Sequence, residues 1–245
     1  MFGKNPVRKQ ELLADGKLRI QEIFKTVQGE GPLVGTPAIF LRMASCNLRC
    51  FFCDTDFESR YGNLILWEQA LVEILEKAHA TNISLLVITG GEPFLQNLVP
   101  LVTAIMQTFT DWQVQFETAG AIWIPGLEKL LDQYPGRITI VCSPKTGTVH
   151  KMVASYCEDW KYIIRASDYE QYPSEDGLPY ASTQIPGKRT ILFRPVLHPC
   201  STVYLQPCDE GSPELNKANT ALTVELAIRH GYRVCLQTHK LLGLP

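Results

Sequence analysis

The chain has 245 residues, 45% hydrophobic and 20% charged, with 23 Lys and Arg against 25 Asp and Glu for a formal net charge of −2. That apolar content excludes a disordered chain, and the lack of a basic excess or basic run excludes a strong nucleic-acid footprint. No run reaches the roughly 20 apolar residues that span a bilayer and the first residues lack an apolar secretory stretch, so a cytoplasmic protein is expected, free of membrane and nucleic acid, whose eight cysteines point to metal or redox chemistry rather than disulfides.

Residues 1–17 are polar and aperiodic and read as a flexible or loosely docked arm; 18–245 read as one domain. A strand over 18–24 leads through the turn Gln28-Gly29-Glu30-Gly31-Pro32 to a second strand over 38–43. A helix is expected over 67–80, where Leu71, Ile74, Leu75 and Ala78 share one face. Residues 84–89 form a short apolar run suited to a strand covered on both faces. A helix over 97–109, a strand over 113–117, a helix over 125–133 and a strand over 137–142 follow. Further strands are expected over 161–165, 190–194 and 203–206, with a long Pro/Gly-rich loop over 169–188. Ser212 and Pro213 open a helix that Gly231 stops, and a last strand covers 233–236. Strands alternating with helices specify an α/β fold with mostly parallel strands. A complete eight-unit barrel takes about 250 residues; with chain spent on arm and loops, an incomplete β/α barrel is expected. Ligands of such sheets gather beyond the carboxyl ends of the strands, which is where the motifs fall.

Cys46, Cys50 and Cys53 have the spacing C-x3-C-x2-C. A loop can wrap three such thiolates around one inorganic centre. A cubane iron–sulfur cluster usually takes four thiolates, so three leave one iron open to a chelating small molecule. Zinc is the alternative, but it prefers four ligands or three plus water, and the next cysteine is Cys142. The other five cysteines, Cys142, Cys157, Cys200, Cys208 and Cys235, lack paired spacing; most read as buried small hydrophobes, with a second cluster as the alternative.

This loop, with the aromatic Phe52 before its last cysteine, resembles the radical S-adenosylmethionine (SAM) superfamily. Gly90-Gly91-Glu92-Pro93, directly after an apolar strand, resembles that superfamily's GGEP segment. The resemblance implies a [4Fe-4S] cluster on Cys46, Cys50 and Cys53, SAM on the open iron, and a 5′-deoxyadenosyl radical after one-electron reduction. Glycines permit close backbone approach, and Glu92 offers a counter-charge to the methionyl ammonium.

Glu22 to Gly31, Cys53-Asp54-Thr55, Glu117 to Gly120, Ser143-Pro144-Lys145, Gln206-Pro207 and the tail Gln237 to Pro245 together resemble the 7-carboxy-7-deazaguanine synthase family of 7-deazapurine and queuosine biosynthesis. The resemblance runs from about residue 20 to the end and implies a lyase that contracts 6-carboxy-5,6,7,8-tetrahydropterin to 7-carboxy-7-deazaguanine with loss of ammonia. It further implies Mg²⁺, a flavodoxin or ferredoxin donor, and a homodimer. Phe52, Asp54, Gly120, Ser143, Pro144, Lys145, Gln206, Pro207, Cys208 and Asp209 match SAM-side positions. Val27, Gln28, Gly29, Glu30, Arg42, Thr118 and His239 match substrate positions, and the Pro245 carboxylate would accept two N–H donors from the pterin edge. Thr55 matches the Mg²⁺ ligand. Plainer roles stand beside these: Phe52 as cover for the core, a turn hydrogen bond between Thr55 and Asp54, Lys145 as a surface lysine, and the tail as a frayed end. Within the superfamily a glycyl-radical-activating enzyme is the runner-up, and a zinc-stabilised binding module is the reading from another class.

Overall fold

A computed structural model describes residues 4–244. Strands β1 (Lys17–Val27) and β2 (Pro37–Met43) form an antiparallel pair, and β3 (Leu64–Leu66) adds antiparallel to β1. The chain then alternates: α1 (Trp67–Ala78), β4 (Leu85–Gly90), α2 (Val99–Thr108), β5 (Gln113–Thr118), α3 (Leu127–Gln133), β6 (Ile138–Cys142), α4 (Lys151–Tyr156), β7 (Asp159–Ile164) and α5 (Ala166–Gln171). It closes with β8 (Thr202–Pro207), α6 (Pro213–His230), β9 (Arg233–Val234) and α7 (Thr238–Leu241). The nine strands form one sheet in the order β3-β1-β2-β4-β5-β6-β7-β8-β9. Every pair from β2 onward is parallel. The end strands β3 and β9 are not neighbours, so the barrel is open, as the chain length implied.

The side-chain alternation of the strands decides where the site lies. On β5, β7 and β8, Phe116, Trp160, Tyr162 and Leu205 face the helices and join the main core with Ile74, Leu101 and Leu226. Burying one such side chain contributes roughly 1.5–3 kcal/mol. The alternate residues Gln115, Glu117, Lys161 and Gln206 face the other way and make polar contacts with one another's neighbours. On β4, Leu86 and Ile88 pack on the helix side while Leu85 and Val87 form a second cluster with Ala38. This is the strand covered on both faces that its apolar run predicted. Ser212 caps α6 by accepting the Leu215 N–H, and Gly231 ends it at φ 72°.

Two expectations change. The segment expected as a strand over 190–194 is irregular, because β7 and β8 pair directly and leave no slot between them. It is held instead by buried Leu192, by the Phe193 N–H to Thr146 O bond and by the Arg194–Asp176 ion pair. The described part of the arm packs against the domain. The Arg8 N–H donates to Cys46 O at 2.7 Å, Gln10 Nε2 reaches Phe94 O and Trp123 O, and Arg8 pairs with Glu58. The 169–188 stretch begins inside α5 and buries Leu178, Ala181 and Thr183, so it is only partly a surface loop. No helix among the described residues is long and apolar enough to cross a membrane.

Candidate active site

The cysteine loop leaves β2 through Ser45, whose φ of 76° turns the chain sharply off the strand. The exit of β4 packs on the root of this loop. The Gly91 N–H donates to Met43 O at 3.2 Å and the Glu92 N–H to Ser45 O at 2.9 Å. A Cβ at Gly90 or Gly91 would collide with the backbone of Met43 or Ser45, so both glycines are needed for this approach. Glu92 departs from its expected role. Its buried carboxylate accepts from the Phe94 N–H, the Thr118 hydroxyl (2.7 Å) and the Ala119 N–H (2.8 Å), and burial pushes its pKa up. It fastens the exit of β4 to that of β5 and lines neither cavity described next.

Two adjoining cavities open at the carboxyl ends of the strands. The smaller, about 240 Å³, is lined by Cys46, Cys50, Phe52 and Cys53, by Gly90 and Gly91, and by Ser143 and Lys145. Gln206, Cys208 and Asp209 complete its far wall. The larger, about 560 Å³, is lined by Val27, Gln28, Arg42 and His239. Glu30, Asp54, Thr55, Gly90 and Glu117 border both. Thr118, expected on the substrate side, lines only the cysteine side. Gly29, Gly120, Pro144 and Pro207 line neither. Pro245 lies outside the described residues.

The three thiols are free and fit a cluster. They share one cavity, and polar hydrogens already reach two of the sulfurs: Leu48 N–H to Cys46 Sγ at 3.4 Å and Gln184 Nε2 to Cys50 Sγ at 3.1 Å. Burial pushes the Cys46 and Cys53 thiols up, so they need bound cations to ionise. Among the described residues no three His, Cys, Asp or Glu side chains converge on a single-ion site.

A polar clamp closes the mouth between the cavities. Lys161 of β7 ion-pairs with Glu30, both nearly buried, and Glu30 also accepts from Gln237 Nε2 (2.9 Å) and Gln206 Nε2 (3.2 Å). Burial raises the Glu30 carboxyl and lowers the Lys161 ammonium, but their mutual attraction outweighs it and holds both charged. Lys240 of α7 bridges Asp54 (2.8 Å) and Asp209 (2.9 Å), holding Asp209 down at about 2. Glu117 accepts from Gln28 Nε2 and the Thr89 hydroxyl. Lys145 is recessed, donates to Ser143 O at 3.0 Å, and has its pKa lowered by burial, unlike a solvated surface lysine. Arg42 is already engaged by Glu22 and lies over the Phe24 ring. The Thr55 hydroxyl donates to Asp54 at 3.2 Å, the turn bond weighed in the sequence. His239 has its pKa lowered by burial despite Glu30, so its imidazole is neutral at pH 7.

Glu117, Lys161, Gln237 and Lys240 had no assigned role. Lys161 carried a signal, since a lysine inside an apolar strand run must find a partner. Gly29 explains how the tail docks. Its carbonyl accepts from the Thr238 N–H (3.0 Å) and hydroxyl (3.1 Å), and a Cβ there would overlap the His239 ring. We expect Gly29→Ala to displace the tail. Limited carboxypeptidase digestion should cut residues 238–244 at least about tenfold faster, with little change in Tm because the tail lies outside the core. Unchanged digestion would show that the tail does not depend on this contact.

Residues 27–130 match the family described as a 4Fe-4S single cluster domain. A protein of Rhodospirillum rubrum named 7-carboxy-7-deazaguanine synthase is 41% identical over 252 residues, covering 100% of both chains. One of the same name from Rickettsia prowazekii is 36% identical, covering 100% of this chain and 96% of its own. The crystal structure of QueE from Escherichia coli shares the fold with a TM-score of 0.61 at 21% identity, over 90% of this chain and 93% of that one.

Proposed function

The chain belongs to the 7-carboxy-7-deazaguanine synthase family, and we propose that it contracts 6-carboxy-5,6,7,8-tetrahydropterin to 7-carboxy-7-deazaguanine, with loss of ammonia, as a radical SAM lyase. The observation that carries this reading is the pair of adjoining cavities, with three free cysteines in one and a polar, tail-covered compartment in the other. The larger volume, about 560 Å³, suits a small molecule, for which sites run roughly 300–1,000 Å³. Cys46, Cys50 and Cys53 would hold a [4Fe-4S] cluster, which would supply the one-electron reduction of bound SAM.

The remaining work falls to the chain itself. Gly90 and Gly91 present backbone to the methionyl group, and Phe52 flanks the adenine. Ser143, Lys145 and Gln206 form the opposite wall. In the substrate compartment Arg42 supplies a guanidinium for the pterin carboxylate, sharing or exchanging its bond to Glu22. Gln28 is held rigid by Gln115 and Glu117, so its edge of the site is fixed before substrate arrives. Neutral His239 can donate or accept one hydrogen bond. Thr55, on the border of both cavities, offers an oxygen to Mg²⁺, which needs only one or two protein ligands. A flavodoxin or ferredoxin donor, a homodimer and a cytoplasmic location complete the reading.

The test is anaerobic incubation of iron-replete protein with SAM, reductant, Mg²⁺ and carboxytetrahydropterin, monitored for the deazaguanine by absorbance and mass. Absence of product from protein with a full cluster would end the proposal. Thr55→Ala should lower turnover about 10- to 100-fold and leave iron content unchanged. If that variant shows the wild-type Mg²⁺ dependence, Thr55 is not the ligand.

A further inference from the structure

The 169–188 segment folds back over the cysteine loop. Its Thr183 and Gln184 grip the chain on both sides of Cys50. The Phe51 N–H donates to Thr183 O at 3.1 Å, and the Arg49 N–H donates to Gln184 Oε1 at 2.6 Å. The second contact fixes which way the amide points. A backbone N–H can only donate, so it must meet the amide oxygen, and the NH₂ group is turned to the other side. There Gln184 Nε2 lies 3.1 Å from Cys50 Sγ and 2.6 Å from Thr183 Oγ1. The Thr183 hydroxyl passes its own proton to Lys145 O at 2.9 Å, so it accepts from the amide. Both hydrogens of the NH₂ group are therefore assigned, one of them to sulfur.

We propose that Gln184 is a positioning residue that donates a side-chain hydrogen bond to the cluster-bearing sulfur of Cys50 and sets how readily the cluster accepts an electron. The physics is that of a donor beside a thiolate. Reduction adds negative charge to the cluster and its sulfurs, and an N–H aimed at sulfur stabilises that charge, which raises the potential. A segment 134 residues away in sequence from Cys50 thus acts on the electron-transfer step without touching substrate. The inference rests on the reading of Cys46, Cys50 and Cys53 as cluster ligands.

The experiment is an anaerobic redox titration of reconstituted protein, followed by EPR of the reduced cluster, with iron counted in every sample. Gln184→Leu removes the donor and should make reduction about tenfold less favourable, ~59 mV lower for a one-electron couple. Gln184→Glu keeps the acceptor for Arg49 but adds charge, and should lie lower still. Both should retain the wild-type iron content, about four per chain. Full iron with potentials equal to wild type in both variants overturns this inference alone. Wild-type protein that binds no iron overturns it together with the cluster reading.

Discussion

Cys50→Ala abolishes turnover while leaving the fold intact. The expected loss is at least about a thousandfold, some 4 kcal/mol or more of barrier, because the radical source is removed rather than weakened. Iron content should fall well below the about four per chain of a cubane. The protein should nonetheless melt near the wild-type temperature. Cys50 is only partly buried and belongs to neither hydrophobic cluster, so its loss opens no cavity in the core. The core cysteines outside the loop should behave in the opposite way. Cys142 and Cys157 sit in the main core, and Cys157 Sγ donates to Asp159 O at 3.2 Å. Cys157→Ser should lower Tm and keep iron. Anaerobic iron assay, EPR and circular-dichroism melting distinguish the two sets. A Cys50→Ala protein that holds a full cluster would remove the basis of the site.

What could be read in advance was what is local in the chain. The spacing of Cys46, Cys50 and Cys53 and the Gly90-Gly91 pair are contiguous patterns, and the alternation of apolar strands with amphipathic helices gave the parallel sheet. Six-residue α4 and α5 are too short to show a period. The stretch at 190–194 reads like a strand, yet strand formation depends on a free neighbour, which the β7–β8 pairing denies it. Glu92 shows the same limit within a recognised motif. Its identity is legible, but the direction of its carboxylate is set by Thr118 and Ala119, which arrive 26 and 27 residues later. The clamp on Glu30 joins it to residues 131, 176 and 207 positions away, a meeting that only the tertiary fold creates.

That clamp yields the second large effect. Lys161→Met strands Glu30 as a buried carboxylate with only amide partners. Breaking a buried pair in this way costs about 3–5 kcal/mol, or roughly 10 °C in Tm for a chain of this size. The pH dependence carries the diagnostic sign. In the wild type the Glu30 carboxyl is held below its ordinary value by Lys161 against burial, and Lys161 is held above its own by Glu30 and Glu117 against burial. A depressed carboxyl contributes stability above its unfolded pKa of about 4.3 and loses it as pH falls through the folded value. A raised ammonium contributes below its unfolded pKa of about 10.4 and loses it as pH rises through the folded value. The pair therefore stabilises evenly across neutral pH. Without Lys161, burial is the dominant influence on Glu30 and its folded pKa moves above the unfolded one, so the sign reverses. The variant's deficit should be largest at neutral pH and shrink as acid neutralises Glu30. Differential scanning measurements at pH 5 and pH 8 would show a smaller gap to wild type at pH 5, and equal gaps would mean that the pair does not behave as a buried ion pair. Glu30→Gln in the Lys161→Met background should recover most of the loss, because a neutral amide keeps the geometry without the stranded charge, and it should flatten the pH dependence of the gap.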